Sequence, residues 1–284
     1  MTWRTLVSAE DLAAWLGDPR LRLFDCRFDL MRPASGRERY LDEHLPGAVY
    51  ADLNGDLSSP PSATSGRHPL PDAEVFAARL RAWGVDRDSQ VVAYDDNNGM
   101  FAARLWWMLR WLGHDAVAVL DGGLRRWQQL GLPLSETLPV PQQGSFAARH
   151  RPELAVNADA VLESAADPAQ RVIDARAPER YRGDVEPLDR VAGHVPGARN
   201  HPFTTSLAAD GRLLSPDELR PALLRCLDGT APGRTIAMCG SGVTACHVLL
   251  AMEYAGLHGA RLYPGSWSEW SRDPARPVAT GASP

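Results

Sequence analysis

Of the four cysteines in the chain, one sits where its surroundings would make it reactive. The apolar run Thr235-Ile236-Ala237-Met238 ends at Cys239, and the small loop Gly240-Ser241-Gly242 follows. From Thr244 to Tyr254, Cys246, Leu249, Leu250 and Tyr254 recur at helical spacing, with Gly256 where a helix would stop. The order is therefore strand, cysteine, tight loop, helix N-terminus. Backbone N–H groups at a helix N-terminus lack intrahelical partners and lie at the positive end of the helix dipole. A sulfur held over them is favoured as thiolate, the form that acts as a nucleophile. Gly240 and Gly242 are both expected to supply positive φ and a close approach of backbone to sulfur. A buried core cysteine after a strand is the competing reading, and it gives the Gly-Ser-Gly loop no purpose.

The bulk properties narrow the setting. A chain of 284 residues has room for two ordinary domains, and 44% hydrophobic residues suffice for substantial cores. A net charge of -5 gives no support for binding nucleic acid or an acidic membrane surface. No apolar stretch is long enough to span a bilayer, and the first residues lack the apolar core of a signal peptide. Cys26, Cys226, Cys239 and Cys246 form no CxxC pair, so neither a disulfide framework nor a zinc site is expected. A cytoplasmic protein with reduced thiols is the expectation.

The elements that must position Cys239 occur twice. Leu23-Phe24-Asp25-Cys26-Arg27 returns as Val172-Ile173-Asp174-Ala175-Arg176, and His44-Leu45-Pro46-Gly47-Ala48 as His194-Val195-Pro196-Gly197-Ala198. Val91 to Asp95 answers Thr235 to Cys239, and Asp121 to Trp127 answers Pro264 to Trp270. Four matches in one order mark a duplication. In the first copy, strand-like Leu21–Asp25, Gly47–Tyr50, Val91–Tyr94 and Ala116–Leu120 alternate with helix-like Ala9–Leu16, Ala73–Trp83 and Phe101–Leu112. Gly84, Gly113 and Gly131 stand where helix caps belong. The alternation predicts an α/β fold, each copy a mainly parallel sheet with helices on both faces. Ligands of such sheets bind at the carboxyl ends of strands, where Asp95 and Cys239 both fall. The expected division is 1–138, a Pro/Gly/Gln linker over 139–149, and 150–284, with a loosely ordered tail from Pro274.

With Asp-x-Arg, His-x-Pro-Gly-Ala and strand–Cys loop–helix in place, the chain resembles the tandem-domain rhodanese family from about Ser8 to Trp270. The loop from Cys239 to Thr244 is similar to that of the 3-mercaptopyruvate sulfurtransferases within it. Thiosulfate-preferring members typically carry basic residues at the positions of Gly240 and Ser241, where cations would stabilise a dianion. The resemblance implies a sulfurtransferase with a Cys239 persulfide intermediate and no metal or organic cofactor. The donor would be 3-mercaptopyruvate, or thiosulfate less well, and the acceptor a thiol such as thioredoxin, or cyanide. It also implies one active site per chain, since Asp95 replaces the cysteine in the first copy and such N-terminal domains are usually catalytically silent.

Further site residues follow from the same resemblance. Arg180, in Arg180-Tyr181-Arg182-Gly183, is expected to bind the donor's anionic group, a task suited to a guanidinium fork. Arg182 and Arg190 are candidate helpers. The amides of Gly240, Gly242, Val243 and Thr244 are expected to hold substrate and persulfide, and Ser241 to hydrogen-bond the substrate or relay a proton. His44 is a candidate relay partner for Ser241, although His194 fills the same slot in the other copy and favours a structural role. Asp25 and Asp174 are expected to hold neighbouring backbone or arginine groups. Gly66-Arg67-His68-Pro69-Leu70-Pro71 is a basic turn read as a surface loop rather than a border of the site. Two other functions fit the thiol loop less well. A cysteine phosphatase needs an arginine where Ala245 stands, and a carrier module would hold persulfide without turnover.

Overall fold

The computed structural model describes residues 2–284 and divides the chain into two units. The first comprises the chain through Ser59, Leu70–Arg151 and Ala209–Arg212; the second comprises Pro60–Pro69, Pro152–Ala208 and Leu213–Pro284. Each unit thus contains one short segment drawn from the other half of the sequence. The 139–149 stretch, expected as a linker, is instead laid along the first unit. Gly144 donates to the Arg81 carbonyl at 2.8 Å, Phe146 to Val85 at 3.0 Å and Arg149 to Leu112 at 2.8 Å.

In the first unit the strands are β1 (Leu6–Val7), β2 (Leu21–Asp25), β3 (Val49–Tyr50), β4 (Gln90–Tyr94) and β5 (Val117–Leu120). The helices are α1 (Ala9–Trp15), α2 (Ser35–Asp42), α3 (Ala73–Ala82), α4 (Ala102–Trp111) and α5 (Gly123–Gln129). All strand pairs are parallel, in the order β1-β5-β4-β2-β3. Helix starts follow local chemistry: Ser8 caps α1 by accepting from Asp11 N, and Asp72 caps α3 by accepting from Glu74 N and Val75 N. Gly84 and Gly113 follow α3 and α4 with positive φ, as their positions in the sequence predict.

The second unit contains α6 (Ala158–Ala166), β6 (Arg171–Asp174), α7 (Pro178–Arg182), β7 (Arg199–Asn200), α8 (Pro216–Leu227), β8 (Thr235–Met238), α9 (Thr244–Tyr254), β9 (Arg261–Leu262) and α10 (Ser266–Trp270). Its parallel sheet runs β7-β6-β8-β9, and a parallel bridge from Ala155 to Leu262 stands where β1 pairs with β5 in the first unit. Both β4 and β8 are buried along their whole length. In each sheet the chain leaves the pair β2/β4 or β6/β8 in opposite directions, which opens a crevice at their carboxyl ends.

The duplication extends to single hydrogen bonds. Arg27 lies against Asp25 and Arg176 against Asp174, each at 2.7 Å, with all four side chains buried. Tyr40 stacks on His44 and Tyr181 on His194, with each His Nδ1 2.8 Å from that tyrosine's carbonyl oxygen. Trp127 Nε1 donates to the Pro133 carbonyl and Trp270 Nε1 to that of Pro277. Backbone pairing of His44 with Ser135 is matched by that of His194 with Ala279. This last pairing corrects the expectation of a loose tail: Ala279 exchanges two backbone hydrogen bonds with His194, and Gly281 N donates to the Arg182 carbonyl.

Removing one member of a buried, hydrogen-bonded ion pair strands the other charge, at a cost of about 3–5 kcal/mol. Asp25→Ala is expected to lower unfolding stability by about that amount, read by urea denaturation. A loss below about 1 kcal/mol would show that the pair does not brace the sheet.

Candidate active site

β8 delivers Cys239 to the crevice at its carboxyl end. The cysteine is 2% exposed, and Gly242 N donates to its Sγ at 3.2 Å. Gly242 has φ +75, and a Cβ there would collide with the backbone of Pro264, so only glycine fits. Gly240 corrects the expectation of positive φ at both glycines, since it is absent from the left-handed region. Its role is close approach: a Cβ would lie 3.0 Å from Arg67 Nη2 and 3.4 Å from Arg180 Nη1. Two guanidiniums therefore rest on the backbone next to Cys239.

The loop is clamped on its other side by the chain entering α10. Cys239 N donates to Ser266 Oγ at 3.0 Å, and Trp267 N and Ser268 N donate to the carbonyls of Cys239 and Gly240 at 3.0 and 2.9 Å. Ser266 holds a left-handed conformation, φ +53, where the first copy has Gly123 at φ +55. Val243 is the N-cap of α9 and Thr244 its first residue, and no side chain caps this helix. The helix N-terminus thus keeps its amides turned to the loop. Cys246, expected in the core, is fully buried and donates its S–H to the Gly242 carbonyl at 3.3 Å, bracing the loop from within.

Ser241 is joined not by His44 but by His68. His68 Nδ1 lies 2.8 Å from Ser241 Oγ, across 173 residues of sequence, and both side chains are buried. The Gly66–Pro71 turn, read as a surface loop, is in fact part of the site through Arg67 and His68. Arg67 N donates to Ser268 Oγ at 3.0 Å, which fixes the turn against the second unit. His44, the candidate relay, lies in the first unit with its ring nitrogens 2.8 and 3.2 Å from the carbonyl oxygens of Tyr40 and Thr137. It holds the fold there, as His194 does in the second unit. One signal in the sequence distinguishes the two histidines: His44 has a repeat counterpart, and His68 has none.

Arg180 lies beside Gly240, as a binding role requires, but not alone. Its Nη2 donates to Glu186 Oε1 at 2.6 Å and to Asp189 Oδ2 at 3.3 Å, while Arg67 Nη1 pairs with Asp189 Oδ1. Burial pushes the Asp189 carboxyl above its ordinary range, against the pull of Arg67. Arg176 sits 4.6 Å over the Trp267 ring and between Asp174 and Glu186, a structural position. Arg182 pairs with exposed Asp184, away from this cluster. The absence of basic residues at loop positions 240 and 241 does not leave the loop without cations, since Arg67 and Arg180 supply them from outside it.

The first unit shows what the same loop does without a cysteine. Asp95 Oδ1 accepts from Asn97 N and Gly99 N, and its Oδ2 from Phe101 N and Ala102 N, at 2.8–2.9 Å. Its carboxylate fills the amide nest permanently. Among the described residues, no cluster of His, Cys, Asp and Glu could hold a metal, and no helix is long and apolar enough to cross a membrane.

Comparison with known proteins places this geometry in context. The rhodanese-like domain family matches residues 8–130 and 157–273. The chain is 48% identical over 283 residues to a Pseudomonas aeruginosa protein named "Probable 3-mercaptopyruvate sulfurtransferase", covering 99% of this chain and 100% of that one. It is 41% identical to a Mycobacterium tuberculosis protein named "Putative thiosulfate sulfurtransferase", covering 99% and 98%. Among solved structures it is similar to the 3-mercaptopyruvate sulfotransferase SseA of Escherichia coli, with a TM-score of 0.80, 37% identity and coverage of 95% and 100%.

Exposure and electrostatics make opposite forecasts for thiol reactivity. Cys226 is the most exposed of the four cysteines at 9%, but burial pushes its thiol up to about 11, and burial also raises that of Cys26. Amide donation to Sγ favours Cys239 instead. At pH 6, iodoacetamide is expected to label Cys239 before Cys26, Cys226 or Cys246, as read by peptide mass mapping. Earlier labelling of Cys226 would show that access, not the amide nest, governs reactivity.

Proposed function

We propose that this chain, which belongs to the rhodanese-like domain family, is a sulfurtransferase that takes sulfur from 3-mercaptopyruvate onto Cys239. The observation that carries this reading is the Gly242 amide on Cys239 Sγ, with Arg67 and Arg180 beside Gly240 and His68 on Ser241. Such a site offers a nucleophile, a place for a carboxylate and a proton carrier within one loop.

In the first half-reaction the Cys239 thiolate attacks the donor sulfur. The new S–S bond forms as the C–S bond breaks, and the bonding pair passes to the methylene carbon as pyruvate enolate. The proton lost from the donor thiol is returned to that carbon, with the Ser241–His68 pair as the carrier, and pyruvate departs. Cys239 is left as a persulfide, whose terminal charge falls to the amides of Gly240, Gly242, Val243 and Thr244. Arg67 and Arg180 hold the donor carboxylate in this scheme, each with a planar fork of donors.

In the second half-reaction a thiolate such as that of reduced thioredoxin, or cyanide, attacks the outer sulfur and restores the Cys239 thiolate. The four cysteines are free, which suits a reducing cytoplasm. No step calls for a metal or an organic cofactor. Asp95, closed over by four amides, takes no part.

Thiosulfate is the rival donor. The expected outcome is that kcat/KM favours 3-mercaptopyruvate over thiosulfate by about tenfold or more, the worth of one charge-assisted hydrogen bond. Arg180→Ala is expected to weaken both donors, and Cys239→Ser to abolish transfer. Pyruvate release from mercaptopyruvate and thiocyanate formation from thiosulfate with cyanide provide the measurement. Equal or better efficiency with thiosulfate would overturn the donor assignment.

A further inference from the structure

The charged groups around the Cys239 loop form one chain of contacts. Asp174 holds Arg176 at 2.7 Å, Arg176 reaches Glu186 at 3.3 Å, and Glu186 holds Arg180 at 2.6 Å. Arg180 reaches Asp189 at 3.3 Å, and Asp189 binds Arg67. Three guanidiniums meet three carboxylates, and the cluster is formally neutral before Cys239 is counted. Exposure is unequal across it. The side chains of Glu186 and Asp189 are 4% and 6% exposed, against 17% for Arg180 and 22% for Arg67. An anion arriving beside Gly240 meets the guanidiniums first, with their counter-charges seated behind them.

The two carboxylates differ in what else they do. Glu186 Oε1 accepts from Leu188 N and Asp189 N, so it shapes its own turn as well as pairing with arginines. Asp189 turns its two oxygens to two different guanidiniums, and those two are the ones that lie over Gly240.

We propose that Asp189 sets the charge of the donor that the site accepts. By setting one negative charge against both Arg67 and Arg180 in a cluster that is already neutral, it makes every charge of an incoming donor an excess, and a second one costs more than the first. A monoanionic α-keto carboxylate adds one charge to that neutral cluster, whereas dianionic thiosulfate adds two in a half-buried site beside Cys239. Donor choice therefore rests on a buried counter-anion and not on the residue types of the loop alone. This inference rests on the sulfurtransferase reading, and its test has an arm that does not.

Asp189→Asn keeps the size and an oxygen acceptor for Arg67 while removing the charge. It is expected to raise kcat/KM for thiosulfate by about tenfold, mainly through KM, and to change that for 3-mercaptopyruvate by less than about threefold. Asp189→Glu restores the charge and is expected to restore the preference. Asp189→Ser, which sheds both charge and bulk, provides an independent reading if the asparagine variant does not fold. The second arm measures protection of Cys239 against iodoacetamide by two inert probes, sulfate as dianion and pyruvate as monoanion. The sulfate concentration for half-protection is expected to fall about fivefold in Asp189→Asn, with that for pyruvate nearly unchanged. Equal changes for both donors, or sulfate protection that stays constant or weakens, would overturn the role of Asp189. If the unmodified protein moves sulfur from neither donor, the sulfurtransferase reading fails by itself, and the protection ratio still decides Asp189.

Discussion

A loop of backbone amides at the end of a central parallel strand needs an acceptor, and both halves of this chain are built around that requirement. After β4 the acceptor is the carboxyl group of Asp95, held by four N–H groups and sealed from solvent. After β8 it is the sulfur of Cys239, with the Gly242 amide on it and α9 starting five residues on. The first loop runs two residues longer before α4 begins, and the extra backbone wraps the carboxylate. The same physical solution encloses a carboxyl group in one unit and presents a cysteine sulfur in the other.

The surrounding hydrogen bonds hold the loop in that shape. Ser266 keeps a left-handed backbone where its counterpart is glycine, and in return its hydroxyl accepts from Cys239 N and donates to the Tyr263 carbonyl. A non-glycine residue persists at such a conformation when its neighbours over-determine it. Two further amides, of Trp267 and Ser268, tie the loop carbonyls to α10, while Cys246 ties Gly242 to α9. Cys239 is therefore fixed from its backbone on both sides.

The parts of this arrangement written in local sequence were legible. Leu21–Asp25 reads as a strand and is one, Gly84 and Gly113 cap helices, and the paired Asp-x-Arg motifs reappear as buried ion pairs. Cys239 and Ser241 stand out because they share one short loop, and Arg180 because it sits in the Arg-Tyr-Arg-Gly segment that follows the second Asp-x-Arg motif. Helix α2 gave no such signal: its sequence, Ser-Gly-Arg-Glu-Arg-Tyr-Leu-Asp, has no apolar stripe, and Ala34 provides no side-chain cap. Arg67 and His68 were hidden for a different reason. Their partners lie more than a hundred residues away, and periodicity carries no information at that range. The duplication does allow a subtraction: His44 and His194, present in both copies, brace the fold, which narrows the search to the histidines without a counterpart, and of these His68 meets Ser241.

The exchange of short segments between the units ties these observations to the ancestry of the chain. Pro60–Pro69, with Arg67 and His68, belongs to the unit that holds Cys239, and Ala209–Arg212 belongs to the other. Neither half of the sequence encodes a whole site. A gene divided at its repeat boundary would leave the cysteine-bearing product without its histidine and one of its two guanidiniums, although the discarded half contributes no nucleophile. The half-chain that lacks the cysteine thus still furnishes Arg67 and His68 to the loop that has it, so that a change in one copy of the repeat is felt in the other.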